Sequence, residues 1–218
     1  MLELTDLQAR VLGALIEKSR TTPDYYPMTI NALTAACNQA SNRQPVTSYS
    51  EEDVAEAMHS LRARGVARSV RTARSRIMKH RHDLEKALVL QIPSTSLLAV
   101  LLLRGPQTVG ELKARTARYH GFDDLDTVET SLEKLAEDDP PLVQRLPRQP
   151  GHKEARWVQL LTAHSPQTGS PQPTAPSPAS DVALDPGPTV APPAPRDLED
   201  RVALLESRVE DLERHLGL

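Results

Sequence analysis

The sequence of 218 residues is 39% hydrophobic and 25% charged, carries a net charge of −3 and contains one cysteine, which is typical of a globular protein with one or two domains. A membrane-spanning helix needs about 20 predominantly apolar residues, and the longest apolar run, Leu97 to Leu103, is far shorter. A single cysteine excludes an internal disulfide, and the first ten residues lack the apolar core of a signal peptide, so we expect a cytoplasmic protein without membrane contact.

The net charge conceals an uneven distribution along the chain. Residues 1–92 hold 13 Lys and Arg against 10 Asp and Glu, residues 93–162 hold 9 against 10, and residues 163–218 hold 4 against 9. A basic stretch without any acidic residue lies inside the first segment, and such a stretch attracts a polyanion even where the overall charge is negative. Its members are Arg62, Arg64, Arg68, Arg71, Arg74, Arg76, Lys79 and Arg81.

The first 65 residues have the pattern of three helices, each beginning at a Ser or Thr cap. These caps are Thr5, Thr29 and Ser50. Two of them have a capping-box partner three residues later, Gln8 and Asp53. The helices end at Thr21-Thr22-Pro23, before the polar segment 38–49, and at Gly65. The predicted inner face of the third helix is Val54, Ala57, Met58 and Leu61.

The periodicity changes after Gly65. With a period of two, Val66, Arg68 and Val70 fall on one face, with Ala67 and Ser69 between them, and Ile77 follows after residues 71–75. This pattern predicts a β-hairpin with a basic tip. Three helices followed by a hairpin is the plan of a winged helix-turn-helix domain, in which the hairpin is the wing.

The same order of patterns recurs in residues 93–162, at an offset of 76 to 79 residues. An apolar helix ends at Gly105-Pro106, a capping box of Thr108 and Glu111 opens a helix that we extend to Tyr119, and Asp124 or Asp126 caps a third helix. Residues 142–160 form a second predicted hairpin. An internal repeat indicates two similar domains.

The remaining residues have a different composition. Residues 163–197 contain ten prolines, so we expect 163–196 to be a disordered linker. Residues 197–218 have the heptad pattern of a short parallel coiled coil, with Arg at g facing Glu at e of a partner. The alternative is an amphipathic helix that packs on its own domain. We favour a homodimer, whose seam is Leu198, Val202, Leu205, Val209, Leu212 and Leu216.

Several blocks in residues 2 to 161 resemble the YceH family of bacterial proteins. The match is densest at Ala36-Cys37-Asn38-Gln39, Asn42-Arg43 and Pro45-Val46, and it resumes at Leu101-Leu102-Leu103-Arg104-Gly105, Gly110-Glu111-Leu112 and Arg145-Leu146. The resemblance implies a tandem winged-helix fold and implies little about activity. The proline-rich segment and the heptads lie outside it.

The basic hairpin is the main functional signal, because Arg and Lys of a wing can neutralise phosphates. Acids at the start of the third helix, Glu51, Glu52, Asp53 and Glu56, repel phosphate where a recognition helix would meet the bases. Contact would therefore use the far end of that helix (His59, Arg62), the wing or the loop before it. The predicted nucleic-acid contacts are Arg43, Arg62, Arg64, Arg68, Arg71, Arg74, Arg76 and Lys79.

Two polar clusters have alternative interpretations. The first cluster comprises Asn38, Gln39, Asn42 and Arg43. These side chains can pair with base edges or phosphates, or they can hold the loop through hydrogen bonds to its backbone. We favour the structural role for Asn38 and nucleic-acid contact for Arg43.

The second cluster is the motif His80-x-His82. Histidine is a common metal ligand, but no cysteine or acid completes a site, so we assign both histidines to the basic surface. No catalytic constellation stands out, and we expect neither an enzyme nor a cofactor.

The sequence therefore predicts a mainly helical α+β protein of two winged-helix domains, 1–92 and 93–162, followed by the linker 163–196 and the coil 197–218. We favour a dimeric protein that binds double-stranded DNA through its first wing. The alternative is a winged-helix module that binds protein. This alternative is favoured by the third helix of the second domain, whose acidic residues outnumber its single basic residue, Lys134. The acidic residues are Asp124, Asp126, Glu129, Glu133 and Glu137.

Overall fold

Seven α-helices and two antiparallel β-hairpins follow one another in the computed structural model, which describes residues 2–71, 77–151 and 153–162. The helices are α1 (Asp6–Thr21), α2 (Ile30–Cys37), α3 (Glu51–Ala63), α4 (Leu84–Ala87), α5 (Ile92–Arg104), α6 (Val109–Thr116) and α7 (Leu125–Glu137). The strands are β1 (Ala67–Arg71) with β2 (Met78–His82), and β3 (Val143–Arg145) with β4 (Trp157–Gln159). The coarse prediction of helices with small hairpins is confirmed.

Side-chain caps begin the helices where the sequence predicts them. Thr5, Ser50 and Thr108 each accept a hydrogen bond from the backbone N–H three residues later, and the side chain of that later residue accepts one in return. Thr29 and Asp124 cap α2 and α7 with a single bond. These contacts satisfy N–H groups that have no partner within the helix, so the starts of these helices are set by local sequence.

The order of elements is the same in the two segments. Each segment has a long helix, a helix of 8 residues, a helix of 13 residues and a hairpin. The residue before the Thr cap of each short helix also pairs with the second hairpin strand, as Met28 does with His80 and Gln107 with Trp157. The repeat seen in the sequence is therefore present in the backbone pairing.

Helices α1 and α5 form the centre of the hydrophobic core. Residues of both helices are almost fully buried from Val11 to Ile16 and from Leu97 to Leu103. Gly13 allows the close approach, since a Cβ placed there would lie 2.9 Å from Cγ of Leu103. The described residues belong to one compact unit, which spans residues 1–168.

Several local predictions differ from the structure. Helix α5 begins at Ile92, earlier than the apolar run, because Pro93 fits the first turn of a helix. Helix α6 ends at Thr116, so Tyr119 lies in the turn after it. The four-residue helix α4, which buries Leu84, was not predicted.

Within the described ranges, no helix is long and apolar enough to cross a membrane. The predicted linker 163–196 and coil 197–218 lie outside those ranges. The boundary at residue 92 stays a prediction.

Candidate nucleic-acid interface

Helix α3 carries opposite charges at its two ends. Ser50 and Asp53 form its capping box, with the Ser50 backbone N–H donating to Asp53 Oδ2 at 2.9 Å. Val54, Ala57, Met58 and Leu61 face the core, as predicted. The remaining side chains are mostly exposed: acids at the start (Glu51, Glu52, Asp53, Glu56) and bases at the end (His59, Arg62, Arg64). Acids suit the positive end of the helix dipole, whereas phosphate would be repelled there.

The first hairpin places further basic side chains next to that end of α3. Strands β1 and β2 pair in antiparallel register, with Arg68 opposite Arg81 and Val70 opposite Lys79. Arg68 and Arg71 are exposed, and Lys79 is half-buried. Asp83, which the sequence analysis did not single out, pairs with Arg68 at 3.1 Å and lies 3.8 Å from Arg81. The predicted contacts Arg74 and Arg76 lie outside the described residues.

An open depression of about 360 Å³ lies where α3 meets β1. Its lining includes His59 and Arg62 of α3 and Arg68 and Ser69 of β1. Among the described side chains, Arg68 has an acidic partner, whereas no ion pair engages His59 or Arg62. The hydroxyl of Ser69 is 3.0 Å from Nδ1 of His80. The end of α3 and the start of the hairpin thus bring basic side chains from two consecutive elements into one concave surface.

The prediction that His80 and His82 belong to the basic surface is wrong. Both histidines are buried, on the inner side of β2. Nε2 of His82 is 3.2 Å from the Ser19 hydroxyl, and Tyr26 Oη accepts the backbone N–H of His82. Burial, together with the charges of the nearby Arg20 and Arg81, lowers the pKa of His82 to about 4. His82 is therefore a neutral core side chain at neutral pH.

The prediction that Arg43 contacts nucleic acid is also wrong, because its side chain is 0% exposed. Its Nη1 donates to Glu17 Oε1 at 3.2 Å, and its Nε donates to the Ala36 carbonyl at 3.0 Å. Tyr119 Oη donates to the same carboxylate oxygen at 2.9 Å. The pair of Arg43 and Glu17 thus joins α1, the end of α2 and the turn after α6 from inside the protein.

The polar loop before α3 is held by its own side chains. Asn38 donates to the Tyr49 carbonyl at 2.8 Å and accepts from the Tyr49 N–H at 2.9 Å, as the structural interpretation predicts. Asn42 has a φ of 60°, and its side-chain oxygen accepts a hydrogen bond from Arg104. Asn and Asp tolerate this left-handed conformation better than other non-glycine residues. Asn38 and Asn42 therefore position the loop.

Ion pairs engage part of the basic charge of the second hairpin. Arg145 pairs with Glu129 at 3.2 Å. Arg156 pairs with Glu111 at 2.8 Å and donates to the Pro106 carbonyl at 2.9 Å. Arg148 and Lys153 are exposed. Glu129 of α7 and Glu111 of α6 thus neutralise two of the four basic residues of this hairpin.

The part of the chain that the structure describes has no group of three or more His, Cys, Asp or Glu placed to hold a metal ion. Cys37 is fully buried, and burial raises the pKa of its thiol to about 12. A thiol with such a pKa is not a reactive nucleophile at neutral pH.

Comparison with known proteins gives consistent matches. A family model described as "Protein of unknown function, DUF480" matches residues 4–152. The UPF0502 protein of Solibacter usitatus is 44% identical over 212 residues, 97% of this chain and 94% of that protein. The UPF0502 proteins of Geobacter sulfurreducens and Geobacter metallireducens are 50% and 52% identical, over 79% and 72% of this chain and 78% and 72% of their own lengths. None of these three carries the name YceH.

Proposed function

The chain belongs to the DUF480 family, and we propose that it is a non-enzymatic, cytoplasmic winged-helix protein that binds double-stranded DNA as a dimer. The element order of each segment supports the winged-helix assignment. The hydrogen bonds between Met28 and His80, at 3.0 and 2.7 Å, pair the residue before the cap of α2 with β2 as an isolated bridge beside the two-stranded hairpin. A small sheet of this kind, with α3 against it, has the arrangement of a wing and a recognition helix.

The depression between α3 and β1 is the observation that carries the DNA-binding proposal. His59, Arg62 and Arg68 line it together, and Arg64 and Arg71 are exposed nearby in sequence. Phosphate oxygens accept hydrogen bonds from Arg side chains, and each neutralised phosphate releases counterions. A concave basic surface on a helix end and a hairpin suits the backbone of a duplex.

The acids of α3 limit how that helix meets DNA. Glu51, Glu52 and Glu56 are exposed at its beginning, where the recognition helix of a helix-turn-helix contacts bases. Insertion of this end into the major groove would bring three carboxylates close to phosphates. We therefore propose that the end of α3 and the first wing hold the phosphate backbone, and that positioning contacts outnumber base contacts.

Charge reversal at the depression tests the proposal. We expect Arg62→Glu combined with Arg68→Glu to weaken binding to a random duplex at least tenfold in fluorescence anisotropy at low salt, because two attractive contacts become repulsive. The matched control is Arg118→Glu with Lys134→Glu, which makes the same change in net charge at exposed positions of the second segment and should leave affinity within twofold. Equal losses in the two double variants would sink the proposal.

A second candidate function, a module that binds a basic protein, is favoured by α7. Asp126, Glu133 and Glu137 are exposed on this helix, and its first residue, Leu125, is 50% exposed. An acidic helix with an exposed apolar residue suits a basic partner surface. If the random duplex does not bind even at low salt, this function replaces the first.

A further inference from the structure

A cleft of about 450 Å³ lies between α1, the loop before α3 and the β4 side of α5. Small-ligand pockets typically enclose about 300–1,000 Å³, so the cleft has the volume of a ligand site. It is separate from the basic depression, since the two share no lining residue. One wall carries Arg10 of α1, and another carries Tyr49 of the loop.

Arg10 is the unusual residue of this cleft. Its exposed fraction is 4%. Its guanidinium donates to the Pro45 carbonyl at 2.6 Å, to the Cys37 carbonyl at 3.2 Å and to the Thr47 hydroxyl at 3.5 Å. All three acceptors are neutral, and no ion pair joins Arg10 to a carboxylate among the described side chains. Burying a charge without a counter-charge is unfavourable.

The neighbouring charges do not neutralise Arg10. Arg43 has its own carboxylate, Glu17. Burial is the largest cause that lowers the pKa of Arg10, and the charge of Arg43 also lowers it, whereas Tyr49, Cys37 and Asp6 act in the opposite direction without outweighing burial. Asp6 also lines the cleft, but it is exposed, and solvent screens an exposed charge far more than a buried one. The positive charge of Arg10 therefore dominates the inner end of the cleft.

The rest of the lining combines the polar residues Gln44, Gln159 and Thr162 with an apolar part. Leu101, Leu102, Pro106 and Val158 contribute side chains from the second segment, and Tyr49 adds a half-buried aromatic ring. We propose that this cleft binds a small amphipathic anion, an organic carboxylate or sulfonate with an aromatic or branched apolar body, whose charged group pairs with Arg10. The apolar body then covers the leucine and valine side chains, and the anion supplies the counter-charge that Arg10 lacks.

This inference does not depend on DNA binding. The cleft is nevertheless linked to α3, because Tyr49 of its lining directly precedes Ser50, the cap of that helix. A ligand in the cleft contacts both segments at once, and so favours whichever arrangement of the loop fits it best.

Equilibrium dialysis of the full chain against anilinonaphthalene sulfonate, an aromatic sulfonate, tests the proposal. We expect saturable binding of one dye per chain. Val158→Trp fills the cleft and should weaken binding at least tenfold. Val46→Trp is the matched control, since Val46 is 59% exposed and lies in the same loop outside the lining; its affinity should stay within twofold of the wild type.

Arg10→Gln separates the charge from the apolar walls. We expect at least a tenfold loss of dye affinity in a variant whose near-ultraviolet circular dichroism remains native. If this variant does not fold, Val158→Trp still decides the outcome. Absence of saturable binding to the wild type, or equal binding by Val158→Trp and Val46→Trp, would overturn the proposal.

Discussion

Arg43 holds a buried carboxylate in place at the centre of the molecule. Glu17 is 4% exposed, and burial alone would raise its pKa. Hydrogen bonds and charge from Arg43, with a further bond from Tyr119, outweigh burial and hold the pKa below its ordinary value of about 4.5. Glu17 is therefore ionised at neutral pH, and its charged form is stabilised by partners from other elements.

Removal of Arg43 should leave this carboxylate unpaired. We expect Arg43→Gln to lower the free energy of unfolding by about 3–5 kcal/mol, the usual cost of breaking a buried pair, measured by urea denaturation. Arg68→Gln, which removes the exposed pair with Asp83, is the control and should cost at most about 1 kcal/mol. Similar losses in both variants would mean that Arg43 is not the internal link described above.

His82 makes stability depend on pH. Its pKa in the folded protein is about 4, below the ordinary 6.5, so between these values the unfolded chain binds the proton and the folded chain does not. Stability should therefore fall as pH decreases from about 6.5 to about 4. We expect a midpoint near 4 for the His82 ring in a proton–carbon NMR titration. A His82 midpoint near 6.5 would contradict its burial.

At the scale of elements, the contact between α1 and α5 determines how closely the two segments approach. Gly13 has no side chain at the crossing, and a Cβ there would meet Cγ and Cδ2 of Leu103 at 2.9 and 3.0 Å and Cβ of Leu102 at 3.2 Å. The Cβ of Leu102 cannot rotate away, so relief requires movement of the helix backbone. Overpacking of this kind typically costs about 1–3 kcal/mol.

A pair of glycine substitutions tests this contact. Alanine is better than glycine in a helix by up to about 1 kcal/mol, and the clash at Gly13 should exceed that gain. We expect Gly13→Ala to lower the thermal midpoint. Gly110→Ala in α6 is the matched control, because its Cβ would meet only the Thr108 hydroxyl oxygen at 4.0 Å, and it should raise the midpoint or leave it unchanged. If both substitutions stabilise, the helices are not closely packed at Gly13.

The elements also show what a sequence can predict. The caps of α1, α3 and α6 were predictable because each involves residues three positions apart. The orientation of His80 and His82 was not, because it depends on which face of β2 packs on α1 and on the segment at Met28. The buried position of Arg43 was also not predictable, because its partner Glu17 is 26 residues away in the sequence. Without that partner, Arg43 was predicted to contact nucleic acid. Exposed basic residues of α3 and β1 were predictable from charge alone.

At the scale of the whole molecule, a dimer would carry two copies of the basic surface. The heptads of residues 197–218 predict a short parallel coil, and two linked DNA-binding surfaces gain affinity through effective concentration. We expect the full chain to have twice the chain mass in light scattering, and a chain that ends at residue 196 to have the mass of one chain. An unchanged mass after the deletion would show that the heptads do not form the dimer.

The central claim is that the end of α3 and the first wing bind DNA through phosphates. Anisotropy of a random duplex with the full chain across a salt series tests this most directly. Each neutralised phosphate contributes about −0.9 to the slope of log affinity against log salt, and the basic surface predicts a slope of about −3 or steeper. Absence of binding at low salt, or affinity independent of salt, would contradict the account.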